Sequence, residues 1–203
     1  MKIFNDTLHK IAYATDASAY REMPQGVAYH ENIIDIQELI KFAKENHTCL
    51  IPRAGGTSIA GQVVGNGIVV DISKNFNHIL EINAAERWAR VEPGVVRDEL
   101  NIALKPHGLF FSPETSTSNR CCIGGMTGNN SCGTHSLIYG SPRHHVLQIK
   151  GFLADGSFFD TDKRGNGELE NAIYSQLETW KANPEMRKLI EDNFPDKSLR
   201  RRS

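Results

Sequence analysis

Cysteine is scarce and badly spaced for metal chemistry. The four cysteines, Cys49, Cys121, Cys122 and Cys132, fit no zinc or iron–sulfur ligand pattern, and no Cys-x-x-Cys cluster occurs. Cys49 lies in an apolar run and reads as a small buried hydrophobe. The adjacent Cys121 and Cys122 read as reduced packing thiols rather than a strained disulfide. An excess of one charge is also missing. With 23 Lys+Arg against 24 Asp+Glu, the chain lacks the basic surplus of a general nucleic-acid binder. No apolar run reaches membrane-spanning length. The N-terminal Met1-Lys2-Ile3-Phe4-Asn5-Asp6 meets an acid at once, unlike a secretory signal. A cytoplasmic protein is the default expectation. No internal repeat and no low-complexity segment occurs. What remains is a globular chain of 203 residues, 39% hydrophobic and 23% charged, long enough for one sizeable core or two small subdomains sharing one.

Glycine, by contrast, is concentrated in two runs. The first is Arg53-Ala54-Gly55-Gly56-Thr57-Ser58-Ile59-Ala60-Gly61-Gln62 and the second is Ile123-Gly124-Gly125-Met126-Thr127-Gly128-Asn129-Asn130-Ser131-Cys132-Gly133. Small residues expose main-chain N–H groups and admit a ligand close to the backbone. A diphosphate needs such donors when it leaves water, and Thr57 and Ser58 add hydroxyls. Each hydrogen bond to a charged group contributes about 1.5–3 kcal/mol, so four or five hold a diphosphate. Arg53 either adds charge or only anchors the loop, and a glycine-rich turn without ligand is the competing reading. In the second run, Gly124-Gly125 allows close approach of a flat ring, and Asn129, Asn130 and Ser131 supply groups for ring carbonyls and nitrogens. The polar stretch from Phe111 to Ser118 carries a rigid proline turn. Ser136, Tyr139 and Gly140 follow in a segment able to close a pocket. Neither run has the Gly-x-Gly-x-x-Gly helix opening of a doubly wound dinucleotide fold, nor the Gly-Lys-Ser/Thr end of a triphosphatase loop.

Periodicity predicts a short helix over Asn5 to Tyr13, a strand at Val27 to Tyr29, and a helix opened by Asp35 as N-cap that buries Ile36, Leu39, Ile40 and Ala43. A strand Cys49–Ile51, ended by Pro52, leads into the first glycine run. Strands follow at Gly67–Asp71, His78–Ile82 and Trp88–Glu92. A helix from Val95 to Lys105 presents Val96, Leu100 and Leu104. Leu147–Ala154 and Ser157–Thr161 form a hairpin around Asp155-Gly156. Helices end the chain over Glu168–Lys181 and Glu185–Asn193, before a basic tail, Lys197 to Ser203, without a core-forming pattern.

In order, Pro52 to Gln62, Val91 to Val95, Pro113 to Thr117, Gly124 to Gly133, Ser136 to Ser141 and Leu153 to Gly156 resemble the FAD-binding domain of the vanillyl-alcohol oxidase / p-cresol methylhydroxylase (PCMH) flavoprotein family. The likeness covers roughly residues 25–160. It is closest to the D-lactate, glycolate and D-2-hydroxyglutarate dehydrogenase branch, and within that to bacterial proteins fusing this module to an iron–sulfur module. The resemblance implies an α+β, two-lobed FAD-binding domain of PCMH type. A small α/β lobe would span 1–74, with the pyrophosphate loop. A larger lobe with a mainly antiparallel sheet and flanking helices would span 75–203. Its implied cofactor-binding residues are Pro52, Arg53, Ala54, Gly55, Gly56, Thr57, Ser58, Gly61 and Gln62 in the first run; Pro93, Gly94 and Val95; Pro113, Glu114 and Thr117; and Ile123, Gly124, Gly125, Asn129, Ser131, Cys132, Gly133, Ser136, Tyr139 and Gly140. Covalent members carry His where this loop has Thr57, so non-covalent FAD is expected.

By the same resemblance, the activity is oxidation of a small 2-hydroxy acid by hydride transfer to flavin N5. The substrate cap domain is absent from this chain, which reads as an N-terminal fragment. Any iron–sulfur cluster would lie in the missing C-terminal part, and the electron acceptor elsewhere in the full chain or on a separate carrier. No metal site, transmembrane segment or nucleic-acid partner is expected. The full-length protein would be cytoplasmic or peripheral at the inner membrane. No catalytic base is assigned. His107, His135, His144 and His145 qualify by residue type alone, and adjacent His144 and His145 would face opposite ways on a strand. Two alternatives stand beside this reading: an NADPH-using flavin reductase of the same fold, and a non-catalytic flavin-binding fragment.

Overall fold

Short apolar segments, the β-branched Ile68-Val69-Val70 at their centre, build the first sheet. In the computed structural model, which describes residues 2–194, β1 (Lys2–Phe4), β2 (Gly26–Tyr29), β3 (Leu50–Arg53) and β4 (Ile68–Asp71) lie in the order β1-β2-β4-β3. Strand β4 pairs in parallel with both β2 and β3, and β1 closes the other edge antiparallel to β2. All four residues of β4 are buried, as the centre of a covered parallel sheet requires. Pro52 does not end β3 but sits within it, opposite Val70. It is tolerated because β3 is an edge strand, where a missing N–H costs no ladder bond.

Helix α1 (Thr7–Ala12) is capped by Asp6, whose carboxylate accepts from the His9 amide at 3.1 Å. Helix α2 (Ile33–Glu45) begins earlier than expected. Asn32, not Asp35, is the N-cap, accepting from the Asp35 amide at 3.0 Å, while the Asp35 carboxylate accepts from Glu31 N at 2.8 Å. Asn32 satisfies a first-turn donor and so takes the cap, while Asp35 reaches back to the residue before Asn32. Leu39 of α2 packs with Ala28, Ile68 and Val70 into one core cluster. Cys49 is exposed rather than buried, because it precedes the edge strand instead of lying inside it.

The hairpin β5 (Ile79–Asn83) and β6 (Trp88–Val91) leads to α3 (Arg97–Leu104). Val96 is the N-cap of α3 rather than part of its apolar face. Val95, Leu100 and Leu104 form a second core cluster with Ile79, Ile82, Val91, Phe111 and Ile123 around them. The second glycine run begins as a short helix, α4 (Ile123–Gly128), and Ser136–Tyr139 forms α5. His144 and His145 lie in and after a 3₁₀ turn, not on a strand. Here His144 Nδ1 accepts the Ser141 amide at 3.1 Å.

The chain divides into two compact units, Met1–His145 and Val146–Ser203. The second holds the hairpin β7 (Lys150–Phe152) and β8 (Phe158–Asp160), with Gly156 at φ 87° in its turn, and helices α6 (Glu168–Ala182) and α7 (Pro184–Asn193). The antiparallel strands after β4 therefore form two separate two-stranded ladders among the described residues. The basic run Lys197–Ser203 lies outside them.

Candidate cofactor site

The first glycine run leaves the C-terminal end of β3, the end of a parallel strand at which ligands gather in open α/β sheets. Arg53, the last residue of β3, does not project freely. Its Nη1 donates to Thr15 O at 2.7 Å, and its guanidinium lies 5.3 Å from the centre of the Tyr13 ring. Arg53 is thus an anchor of the loop. Gly56 passes directly over it at φ 61°, where a Cβ would meet Arg53 Nη2 at 2.5 Å. Only glycine suits both the left-handed backbone and the close approach.

The two glycine runs meet. Gln62 Nε2 donates to Asn129 Oδ1 at 3.0 Å. A Cβ on Gly125 would lie 3.5 Å from Ala54 Cβ, and one on Gly55 would collide with the Arg120 carbonyl. Cys122 is buried at the start of the second run, and its Sγ lies 3.8 Å from Arg120 O. Burial pushes the Cys122 thiol up to about 11, so it stays protonated and acts as packing. Cys121 is likewise a buried free thiol.

The remaining segments close around this junction. Gly124 N donates to Pro93 O at 2.9 Å, and a Cβ on Gly124 would lie 2.5 Å from Pro93 Cβ. Ile123 N donates to Val95 O at 2.9 Å. Gly94 is wedged under the Phe76 carbonyl. Buried Pro113 gives its carbonyl to Arg97 Nε at 3.1 Å, and Thr117 O accepts from Cys121 N at 2.8 Å. Glu114 accepts from His135 Nδ1 at 2.8 Å and from Thr134 Oγ1 at 3.1 Å. The His135 bond holds the Glu114 carboxyl below the usual carboxylate range. Gly133 lies against Glu114, Ser136 N donates to Gly133 O, and Tyr139 O accepts from His145 Nε2 at 2.7 Å. The segments singled out within residues 52–140 are therefore linked to one another by contacts within the first unit.

Two of the expected ring-facing side chains are already engaged, one as donor and one as acceptor. Asn129 Nδ2 donates to Ser131 Oγ at 2.9 Å, and Asn130 Oδ1 accepts from Arg143 N at 3.2 Å. Several glycines serve packing: Gly55, Gly124 and Gly133 turn their hydrogens toward neighbouring protein. Gly125 is exposed and keeps room beside it. Main-chain donors are left over in both runs, the Cys132 and Gly133 N–H groups in the second and a longer row in the first, among the described residues. Among the described residues, the main-chain N–H groups of Gly56, Thr57, Ser58 and Ile59 have no protein acceptor. Four successive unpaired amides on a glycine-bearing turn form a donor set suited to an anionic diphosphate, and this set fits the phosphate portion of FAD. No group of three or more His, Cys, Asp or Glu placed to hold a metal ion occurs among the described residues.

Sequence reasoning missed the segment 13–20, which touches the loop from below, and Asp71, whose carboxylate accepts Tyr13 OH at 2.5 Å. The turn-forming run Asp16-Ala17-Ser18 was its only local signal.

Comparison with known proteins gives a concordant result. Residues 24–162 match the model of an FAD binding domain. D-2-hydroxyglutarate dehydrogenase of Haemophilus influenzae is 44% identical over 155 residues, covering 75% of this chain and 15% of that protein. D-2-hydroxyglutarate dehydrogenase of Escherichia coli K12 is 38% identical over 202 residues, covering 92% of this chain and 19% of that protein. The chain thus spans less than a fifth of the length of these relatives. Among solved structures, 6-hydroxy-D-nicotine oxidase from Arthrobacter nicotinovorans superposes with a TM-score of 0.69 at 22% identity, over 80% of this chain and 36% of that one, a likeness of fold.

Proposed function

The chain belongs to the FAD binding domain family, and from that premise we propose that it is the FAD-holding part of a flavin-dependent dehydrogenase of small 2-hydroxy acids. The observation that carries the reading is the row of unpaired amides Gly56–Ile59 on a loop tied to the second glycine run through Gln62 and Asn129. In this reading the 56–59 amides, with the Thr57 and Ser58 hydroxyls, receive the diphosphate. The open side of Gly125 and the neighbouring 129–133 segment receive the flavin ring. Thr57 stands where covalent members of the resembled family carry a histidine, and the cofactor is read as held without a covalent bond. FAD, when bound, supplies hydride acceptance at flavin N5 from C2 of the 2-hydroxy acid.

The protein's share of the work is orientation and electrostatics. Arg53 is spent on Thr15, and Glu114 on His135 and Thr134, so the loop and the 133–135 turn are braced before any ligand arrives. Bracing of this kind lowers the ordering cost of binding. The substrate class follows the D-2-hydroxyglutarate dehydrogenases to which the chain is similar. No catalytic base is assigned within these residues, and the electron acceptor lies elsewhere in a longer chain or on a separate carrier.

The test is the absorbance spectrum of the purified chain reconstituted with FAD, alongside Gly125→Val. The wild type is expected to retain flavin with its near-ultraviolet and blue bands. Gly125→Val, whose Cβ meets only Ala54 at ordinary contact distance, is expected to fold and lose the bands. Equal flavin retention by a folded Gly125→Val would overturn the ring placement. A wild type that takes up no FAD would overturn the function.

A further inference from the structure

The family match begins at residue 24, yet the first glycine run rests on residues before it. Arg53 Nη1 donates to Thr15 O at 2.7 Å and reaches Tyr13 O at 3.4 Å. Ala17 N donates to Gly56 O at 3.1 Å. The Tyr20 ring lies where a Gly61 side chain would begin, 2.7 Å from that Cβ position. The loop is therefore held near its start, one turn in, and at its far end by a stretch of eight residues.

That stretch is itself stiff. Thr15 bridges to Arg21, and Glu22 N donates to Ala14 O at 3.0 Å. Asp16 Oδ1 takes Ser18 N at 2.8 Å, and Ser18 Oγ takes Tyr20 N at 3.1 Å, two successive side-chain turns. Its root is fixed to the sheet by Tyr13 OH donating to Asp71 at the end of β4.

We propose that residues 13–20 form a strap that positions the glycine loop, with Ala17 and Tyr20 as positioning residues for the diphosphate site. The argument turns on peptide planarity. The Gly56–Thr57 peptide is trans, so its C=O and N–H point in opposite directions. By drawing Gly56 O toward Ala17, the strap turns the Thr57 N–H to the opposite side of the loop. Without that bond the peptide plane can rotate through ψ of Gly56 and φ of Thr57, and glycine leaves the first of these weakly restricted. Tyr20 limits the same freedom at Gly61, which stands at φ 75°. The cofactor consequence rests on the FAD reading above, whereas the ordering of the loop does not.

The test uses the 203-residue chain with Ala17→Pro, which deletes the donor to Gly56, and Tyr20→Ala, at a residue that is 63% exposed and whose loss leaves the core intact. Backbone order parameters of 56–61 are measured without cofactor, and FAD affinity by flavin fluorescence titration. Order parameters near 0.85 in the wild type are expected to fall below about 0.6. FAD affinity is expected to weaken about tenfold, or about 1.4 kcal/mol, with Tyr20→Phe restoring both. Unchanged order parameters in folded Tyr20→Ala would overturn the strap, whatever happens to FAD. A strap-dependent loop in a wild type that ignores FAD would leave the strap standing and sink the cofactor reading. Should Ala17→Pro fail to fold, Tyr20→Ala and Tyr20→Phe alone decide the matter.

Discussion

Gln62 and Asn129 join the two glycine runs by a single side-chain hydrogen bond of 3.0 Å, across 67 positions of sequence. Both residues are exposed, so water competes for the bond and its net contribution lies at the low end of the usual range, about 0.5 kcal/mol. A double-mutant cycle of Gln62→Ala and Asn129→Ala in urea is expected to return a coupling energy of that size. Because the bond fixes the spacing between the two runs, the same cycle on FAD affinity is expected to show coupling of the same sign. Additive single effects on both readouts would mean that the runs are seated without this bond.

Glycines of one run do different jobs, and substitution separates them. Gly55→Ala drives a methyl into the Arg120 carbonyl, backbone against backbone, with no flexible side chain to yield. The expected loss is about 1–3 kcal/mol of stability, as for other overpacked sites, read as a lower urea midpoint. Gly125→Ala meets only Ala54 Cβ at 3.5 Å, and it sits in α4. It is expected to hold or raise stability by about 0.5–1 kcal/mol. A reversed order would show that the two runs do not pack as described.

Much of this was legible beforehand. The strands Val27–Tyr29 and Gly67–Asp71 and both helices after Glu168 declare themselves by β-branched runs or 3.6-residue spacing. The ordered motifs between Pro52 and Gly140 are in contact with one another in the fold. What was not legible depends on tertiary contact. Asn32 and Asp35 are both good caps, and sequence does not say which one closes the first turn. Cys49 reads as buried because its neighbours are apolar, but burial depends on which strand takes the sheet edge. The strap leaves almost no trace in sequence, since its bonds to Gly56 and Arg53 use main-chain atoms.

Tyr13 is the strap's root, and its hydroxyl is the lever. Burial, reinforced by the bond to Asp71, raises the Tyr13 phenol far above its ordinary value, so it remains a donor at all working pH values. Tyr13→Phe leaves the buried Asp71 carboxylate with Ser73 N at 2.8 Å and Ser73 Oγ at 2.6 Å as its remaining partners. Losing one of three bonds to a buried charge is expected to cost about 1.5–3 kcal/mol, measured by denaturant unfolding at pH 7. A cost near zero would show that Ser73 alone satisfies the carboxylate.

His30 is one source of acid sensitivity in the fold. The ring is fully buried at the end of β2, packs edge-on to Phe76 with centroids 4.2 Å apart, and neither nitrogen has a protein partner. Desolvation holds its pKa below the ordinary 6.5, against the opposing pull of Asp71, Asp35 and Glu92. The folded protein therefore keeps His30 neutral where the unfolded chain has begun to protonate it. Its contribution to stability is complete above the unfolded value. It is lost as pH falls through 6.5 toward the lowered folded value, because the unfolded state then binds one more proton. One proton sets a limiting slope of about 1.4 kcal/mol per pH unit. Urea unfolding between pH 7 and pH 5 is expected to show declining stability, with part of the slope abolished in His30→Phe, which cannot titrate. An identical slope in a folded His30→Phe would assign the acid sensitivity to the carboxylates instead.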